Sequence, residues 1–174
     1  YIIIIFVQDL THSSTMVGFN FFLIFLPFAL LSSYAGVLAD KFSRKWLLFT
    51  SQLIIIGVIF SIVLFVKEGV INSTSIYSLS ILLVLYGLCF AFIPSSSSSL
   101  LGDIVKKNSL EKNAIVVSLI GILMFSISPL VSGYIKEKVE WATLFLLPLI
   151  LFGLSNICLL GMKINVKKIN NNKS

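Results

Sequence analysis

Residues 16–66 read MVGFNFFLIFLPFALLSSYAGVLADKFSRKWLLFTSQLIIIGVIFSIVLFV. Two long apolar runs, Met16–Ala39 and Trp46–Val66, flank a short turn that holds Asp40, Lys41, Arg44 and Lys45. A helix needs roughly 20 mostly apolar residues to cross a hydrocarbon core about 30 Å thick. Both runs reach that length and carry no charge. This stretch therefore reads as a transmembrane helical hairpin with a basic turn.

Outward from it, the pattern repeats. Ile76–Leu101, Ala114–Ile135 and Trp141–Met162 are also long, apolar and uncharged. Composition agrees: 57% of the 174 residues are hydrophobic and 11% charged, with mean hydropathy +1.05. A soluble domain carries about a quarter charged residues. A soluble core could not hide so much apolar surface, so lipid must cover much of it. The net charge of +6 does not indicate a nucleic-acid partner, because the lysines cluster beside spans, where anionic headgroups attract them.

The basic residues sort by side. Lys41, Arg44 and Lys45, then Lys106, Lys107 and Lys112, then Lys163, Lys167, Lys168 and Lys173 fall on one side; Lys67, Lys136 and Lys138 fall on the other. Cytoplasmic loops carry the excess of Lys and Arg, so the ten mark the cytoplasm. Gln8–Thr15, Lys67–Ser75 and Lys136–Glu140 are then external. Tyr1–Asp9 is apolar but covers less than half a bilayer; it reads as the outer end of a helix whose inner part is missing. Residues 1–166 are expected to form an all-α bundle, and residues 167–174, KKINNNKS, a polar cytoplasmic tail.

The turn Gly36-Val-Leu-Ala-Asp40-Lys41-Phe-Ser-Arg44-Lys45 is the sharpest local signal. Ser32 and Gly36 lie one helical turn apart, and their small size would let another helix approach closely. A carboxylate at Asp40, near the end of a span, needs a partner. A cation or the unpaired N–H groups of a helix N-terminus would serve. The set resembles the Gly-x-x-x-Asp-(Arg/Lys)-x-Gly-(Arg/Lys)-(Arg/Lys) signature of the major facilitator superfamily. Gly36, Asp40, Lys41, Arg44 and Lys45 match it, and Ser43 stands where the pattern usually has Gly. The resemblance implies a conformational gate: in that family this loop braces two halves of a transporter and governs the inward–outward switch. It also implies the amino-terminal six-helix half of that fold, with its first helix truncated.

Phe92-Ile-Pro94, the serines Ser95–Ser99, then Leu100-Leu-Gly-Asp103-Ile-Val105, Leu110 and Asn113-Ala114 are similar to the branch that includes macrolide and enterobactin exporters. Pro94 removes a backbone donor, so a kink is expected there. The serine hydroxyls can bond to preceding carbonyls. They read either as small residues for close packing or as a polar wall of a transport path. Ser128-Pro129-Leu-Val-Ser132-Gly133 resembles the Gly-Pro-x-x-Gly-Gly element of the superfamily's antiporters, with Pro129 and Gly133 matching. Packing alone would also explain a bend there.

Asn20 and Ser118 are polar groups inside spans, suited either to an interhelical hydrogen bond or to a cavity contact. His12 reads as a solvated loop residue. Asn72-Ser-Thr74 fits a glycosylation acceptor but sits in a short loop. Cys89 and Cys158 read as small buried apolar residues. Their spacing suggests neither a metal site nor a disulfide, and no cofactor is implied.

No charged residue lies in the middle of a span. A proton-coupled pump usually needs a carboxylate there, so one would have to come from outside this sequence. No phosphate-binding loop and no Ser/His/Asp set is present, which argues against an enzyme. The expected function is a secondary transporter of the cell membrane, an efflux permease for drugs or small metabolites driven by an ion gradient. Its partners would be lipid, a small-molecule substrate and a carboxy-terminal half. The alternative is a transport-inactive fragment, or an interaction subunit or half-transporter that dimerises.

Overall fold

The computed structural model describes residues 1–41, 43–69, 76–104 and 110–162, with Ala39, Asp40, Asp103, Ile104 and Leu110 described for the backbone alone. The expected glycosylation acceptor Asn72-Ser-Thr74, Lys106, Lys107 and the 167–174 tail lie outside the described residues.

Among the described residues seven helices follow in order: α1 (Ile2–Thr11), α2 (Ser14–Lys41), α3 (Arg44–Lys67), α4 (Ile76–Phe90), α5 (Phe92–Ile104), α6 (Leu110–Lys136) and α7 (Trp141–Gly161). Helices are what lipid permits, because a backbone N–H or C=O in hydrocarbon has no water to bond. Five of the helical stretches are long and apolar enough to cross a membrane: Ser14–Leu38, Arg44–Lys67, Ile76–Gly102, Glu111–Lys136 and Trp141–Gly161. The third of these, Ile76–Gly102, is thus one span made of two helices, α4 and α5. They part at Ala91. Pro94 is the cause, since it has no N–H for the carbonyl four residues back, at Phe90. Pro27, Pro129 and Pro148 stay inside their helices.

The turn between α1 and α2 is tighter than the expected Gln8–Thr15 loop. α1 continues to Thr11 and ends on His12, whose positive φ of 49° is a left-handed cap. The His12 N–H bonds to the Gln8 carbonyl, and the Ser13 hydroxyl accepts from the Met16 N–H. Two residues suffice because the His12, Ser13, Met16 and Val17 N–H groups are all met within the turn.

α3 is the scaffold. Its most extensive contacts are with α7, and it also packs along α4 and α5. Leu48, Ser51, Gln52, Ile55, Val58, Ile59, Ile62 and Val63 are all buried, at the three- and four-residue spacing of one helix face. α2 lies along α4 and α5, and α1 touches α2, α6 and α7. The largest apolar cluster includes Phe6, Val7, Val58, Ile62, Leu79 and Phe145. Phe6 stands edge-on to Trp141 at 5.1 Å and to Phe145 at 5.4 Å. Helix α6 is peripheral: the most apolar stretch of its span buries no residue, and Ser132 near its end is the one buried side chain described on it.

The closest helix–helix approach is not at Ser32 and Gly36. A Cβ on Gly36 would meet nothing within 4 Å, so that stripe makes no tight contact among the described residues. The approach lies instead at Gly87 of α4. A Cβ there would collide with the Ile24 carbonyl oxygen of α2 and reach 3.0 Å from Pro27 Cγ. Backbone cannot swing aside as a flexible side chain can. Gly87→Leu should therefore force α2 and α4 apart, at a cost of about 1–3 kcal/mol or more. A lower melting temperature of the full chain in detergent would show it; an unchanged melt would show that the crossing is not tight.

Candidate functional site

The α2–α3 turn is built from its caps. Ser43, where the superfamily pattern has Gly, is the N-cap of α3: its hydroxyl accepts from the Trp46 N–H at 3.4 Å, with φ −66° and ψ 114°. Serine suits a cap better than glycine because it supplies the acceptor itself. The next two residues, Arg44 and Lys45, are cations in the first turn of a helix, where the dipole disfavours them.

Other helices offset that disadvantage. Arg44 Nη1 donates to the Ser99 carbonyl of α5 at 3.1 Å. Lys45 Nζ donates to the Leu160 and Met162 carbonyls at 3.1 and 2.6 Å. Those two carbonyls lie at the C-terminal end of α7, where acceptors lack intrahelical partners and the dipole favours a cation. The basic pair thus ties the start of α3 to α5 and to the end of α7. The Asp40 side chain falls outside the described residues. Lys41 is exposed.

The opposite end carries a second polar tie. Asp9 accepts from Lys136 Nζ at 2.8 Å and from Trp141 Nε1 at 2.9 Å. Lys136 Nζ lies 5.2 Å from the centroid of the Trp141 ring. Three helices meet there: the end of α1, the end of α6 and the start of α7. The hydrogen bond from Lys136, then that from Trp141, holds the Asp9 carboxyl below its ordinary range.

The other predicted positions separate. Asn20 is 2% exposed; its amide donates to the Met16 carbonyl and accepts from the Ser80 hydroxyl of α4, each at 2.9 Å. Pro94 is exposed, and Ser118 is exposed on α6. Pro129 and Gly133 are half-buried on α6, and a Cβ on Gly133 would meet nothing within 4 Å, so no close helix contact forms there. Of the serines, Ser97 and Ser98 bond to the Ile93 and Pro94 carbonyls, as such hydroxyls do. The structure therefore brings Arg44 and Lys45 together with α5 and α7, but not with Asn20, Ser118, Pro129 or Gly133.

Two cavities of about 280 and 260 Å³ flank Tyr1. The first is lined by aromatic and aliphatic groups of α1, α2, α4 and α6, among them Phe21, Phe25, Tyr86, Phe90 and Phe125. The second adds Ser132, Phe145, Pro148 and Phe152. No charged side chain lines either one. Among the described residues no group of His, Cys, Asp or Glu could hold a metal ion.

Sequence reading missed the Lys45 contact with α7 and the Asp9–Lys136–Trp141 tie. Each joins residues far apart in the chain, and no local pattern encodes it. Comparison with family models matches residues 1–173 to the one described as Major Facilitator Superfamily. No curated protein and no solved structure matches the chain.

Two outcomes follow from this geometry. Lys45→Met keeps the apolar stem but removes the cap on α7. Amide exchange over Leu159–Met162 should speed up while that over Ile59–Val63 stays unchanged; equal exchange in the variant would mean the contact carries nothing. At the Asp9 end the sign follows from a depressed carboxyl pKa: the tie contributes fully above the unfolded value of 3.8 and is lost as pH falls through the folded value. Asp9 is 41% exposed, so its worth is at most about 1 kcal/mol. Asp9→Asn should remove this part of the acid-side loss in a melting series from pH 6 downward, about 2–4 °C in Tm.

Proposed function

The chain belongs to the Major Facilitator Superfamily, a family of membrane transporters, and on that premise we propose that it works as an efflux permease for apolar drugs or small metabolites. The reading rests on the uncharged, aromatic-lined cavity between α1, α2, α4 and α6. Ligand sites for apolar molecules are concave and mostly apolar, with a few polar groups to orient the guest. Here Tyr86 and Ser128 are such groups.

Transporters of this architecture bind substrate near the midplane, between two halves that rock against each other. In this proposal the chain supplies one half, a carboxy-terminal half completes the cavity, and lipid surrounds both. The Gly36–Lys45 turn is the gate at the cytoplasmic side, with Asp40 the group that meets the other half. Arg44 and Lys45 hold the gate to α5 and α7. The protein resides in the cell membrane with its carboxy-terminal tail in the cytoplasm. An ion gradient drives export, and the coupling carboxylate comes from outside the spans described here. The similarity of Phe92–Ala114 to macrolide and enterobactin exporters directs the choice of cargo to test.

A second reading is favoured by one observation. Helix α6 leaves the most apolar stretch of its span uncovered, with Ser132 its one buried residue among those described, as a half-transporter that dimerises, or an interaction subunit, would require.

Efflux from whole cells, measured with a panel of macrolides, lipophilic dyes and siderophores, separates the two. Asp40→Ala should slow export about tenfold or more, equivalent to about 1.4 kcal/mol of barrier, while membrane insertion is retained. Export that is unchanged in Asp40→Ala would remove the gate role. Absence of export for every cargo, with the protein inserted, would favour the interaction subunit.

A further inference from the structure

Three helices, α3, α5 and α7, converge at the Arg44 end over a small apolar layer made by Leu48, Leu100 and Leu159. One turn further from that end, each helix changes character. Leu48 is followed by Gln52, four residues on; Leu100 is preceded by Ser96, four residues back; Leu159 is preceded by Asn156, three residues back. Residues three or four apart share a helix face, so all three polar groups are placed on the same seam. Beyond them the seam turns apolar again, with Ile55, Ile93 and Phe152. One polar layer thus lies between two greasy ones, about 12 Å of helix rise beyond Arg44.

The layer is buried and incompletely satisfied. Ser96 is 0% exposed, and Gln52 and Asn156 are each 6%. Gln52 Oε1 accepts from the Ser155 hydroxyl at 3.3 Å. The Ser96 hydroxyl and both polar atoms of the Asn156 amide have no partner among the described residues. Hydrocarbon cannot supply one, and a polar group left bare in an apolar medium is costly.

We propose that this layer is a binding site for an internal water molecule, held between the Asn156 amide and the Ser96 hydroxyl. Water both donates and accepts, and so complements a carboxamide, which presents a donor and an acceptor, and a hydroxyl, which is both. Buried waters occupy sites of this kind, typically with two to four polar partners. A cation does not suit the layer. No charged side chain belongs to it, and the amide N–H₂ would face the ion with the wrong polarity. Gln52, Ser96 and Asn156 line neither cavity beside Tyr1, although Phe152 borders the second, and the site depends on burial of the seam whatever the cargo.

The full chain in lipid nanodiscs can be exposed to a brief X-ray pulse, which generates hydroxyl radicals from whatever waters are present. Leu48 and Leu159 border the polar layer and should take label above Leu154 and Ile157, which face outward on α7. Asn156→Leu combined with Ser96→Ala should lose that label. Equal labelling of the four residues in the unmodified chain overturns the proposal, and so does label that survives the double substitution. Melting gives an independent readout. Each single substitution deprives the shared water of a partner and should lower the melting temperature, whereas the double should cost less than the sum of the two. Single substitutions that raise the melting temperature, with additive effects, would mean two dry, independent groups. If the double variant fails to fold, the labelling of the unmodified chain still decides.

Discussion

A hydrocarbon environment supplies no hydrogen bonds, and this bundle is arranged around that fact. Every helix closes its own backbone, yet the last carbonyls of each remain open. At the Arg44 end, one of those ends is met by a side chain from another helix, and a carbonyl within α5 takes a second cation. Lys45 reaches the end of α7 and Arg44 reaches the Ser99 carbonyl of α5. The cations that disfavour the start of α3 are thereby the groups that hold three helices in register. The same logic runs through the interior, where Asn20 joins α2 to α4 through Ser80, and Gln52 joins α3 to α7 through Ser155.

Charge and length made the architecture readable. Apolar runs long enough to span, separated by short basic and less basic turns, leave little choice but an antiparallel helical bundle. The break at Ala91 was legible too, since proline has a fixed local consequence. What the sequence did not disclose is which face of each helix is buried. In a soluble protein the apolar stripe marks that face. Here α3 is apolar all round, so Ile55 and Val58 on the buried side look no different from Leu53 and Phe60 on the lipid side. For the same reason the small pair Ser32 and Gly36 seemed as good a packing point as Gly87. Only Gly87 has a backbone carbonyl lying against it.

The candidate site was legible in part. The residue types of the α2–α3 turn announced themselves, and Ser43 finds its role as a cap. The partners of Arg44 and Lys45 are backbone carbonyls, which have no sequence signature, so a search for charged partners passes over them. Gln52 and Asn156 went unremarked beside Asn20 and Ser118, and placing them on one seam needed the register of α3 against α7. The Asp9 tie was hidden for a simpler reason: Asp9 lies 127 and 132 positions from Lys136 and Trp141 in the chain.

The two ends of the bundle are held by different physics, and α6 lies between them. At the Asp9 end the tie is an ion pair, 2.8 Å long but partly open to solvent, so it is screened and modest. At the Arg44 end the cations bind backbone carbonyls, Lys45 at the end of α7 and Arg44 within α5, and the described contacts there run between α3, α5 and α7. Helix α6 takes part through Lys136 at one end and little else, since Ser132 is the one described residue of its span that is buried and the helix touches α1, α5 and α7 only lightly. Regions with few buried apolar contacts open at low free energy. The α3 scaffold, with its continuous buried face, sits at the other extreme. Stability in this chain is therefore graded, from a rigid α3–α7 seam to a loosely held α6 that borders the first cavity through Met124, Phe125 and Ser128. A wall that is weakly packed on its cavity side can be displaced or completed by another surface at little cost to the rest of the bundle.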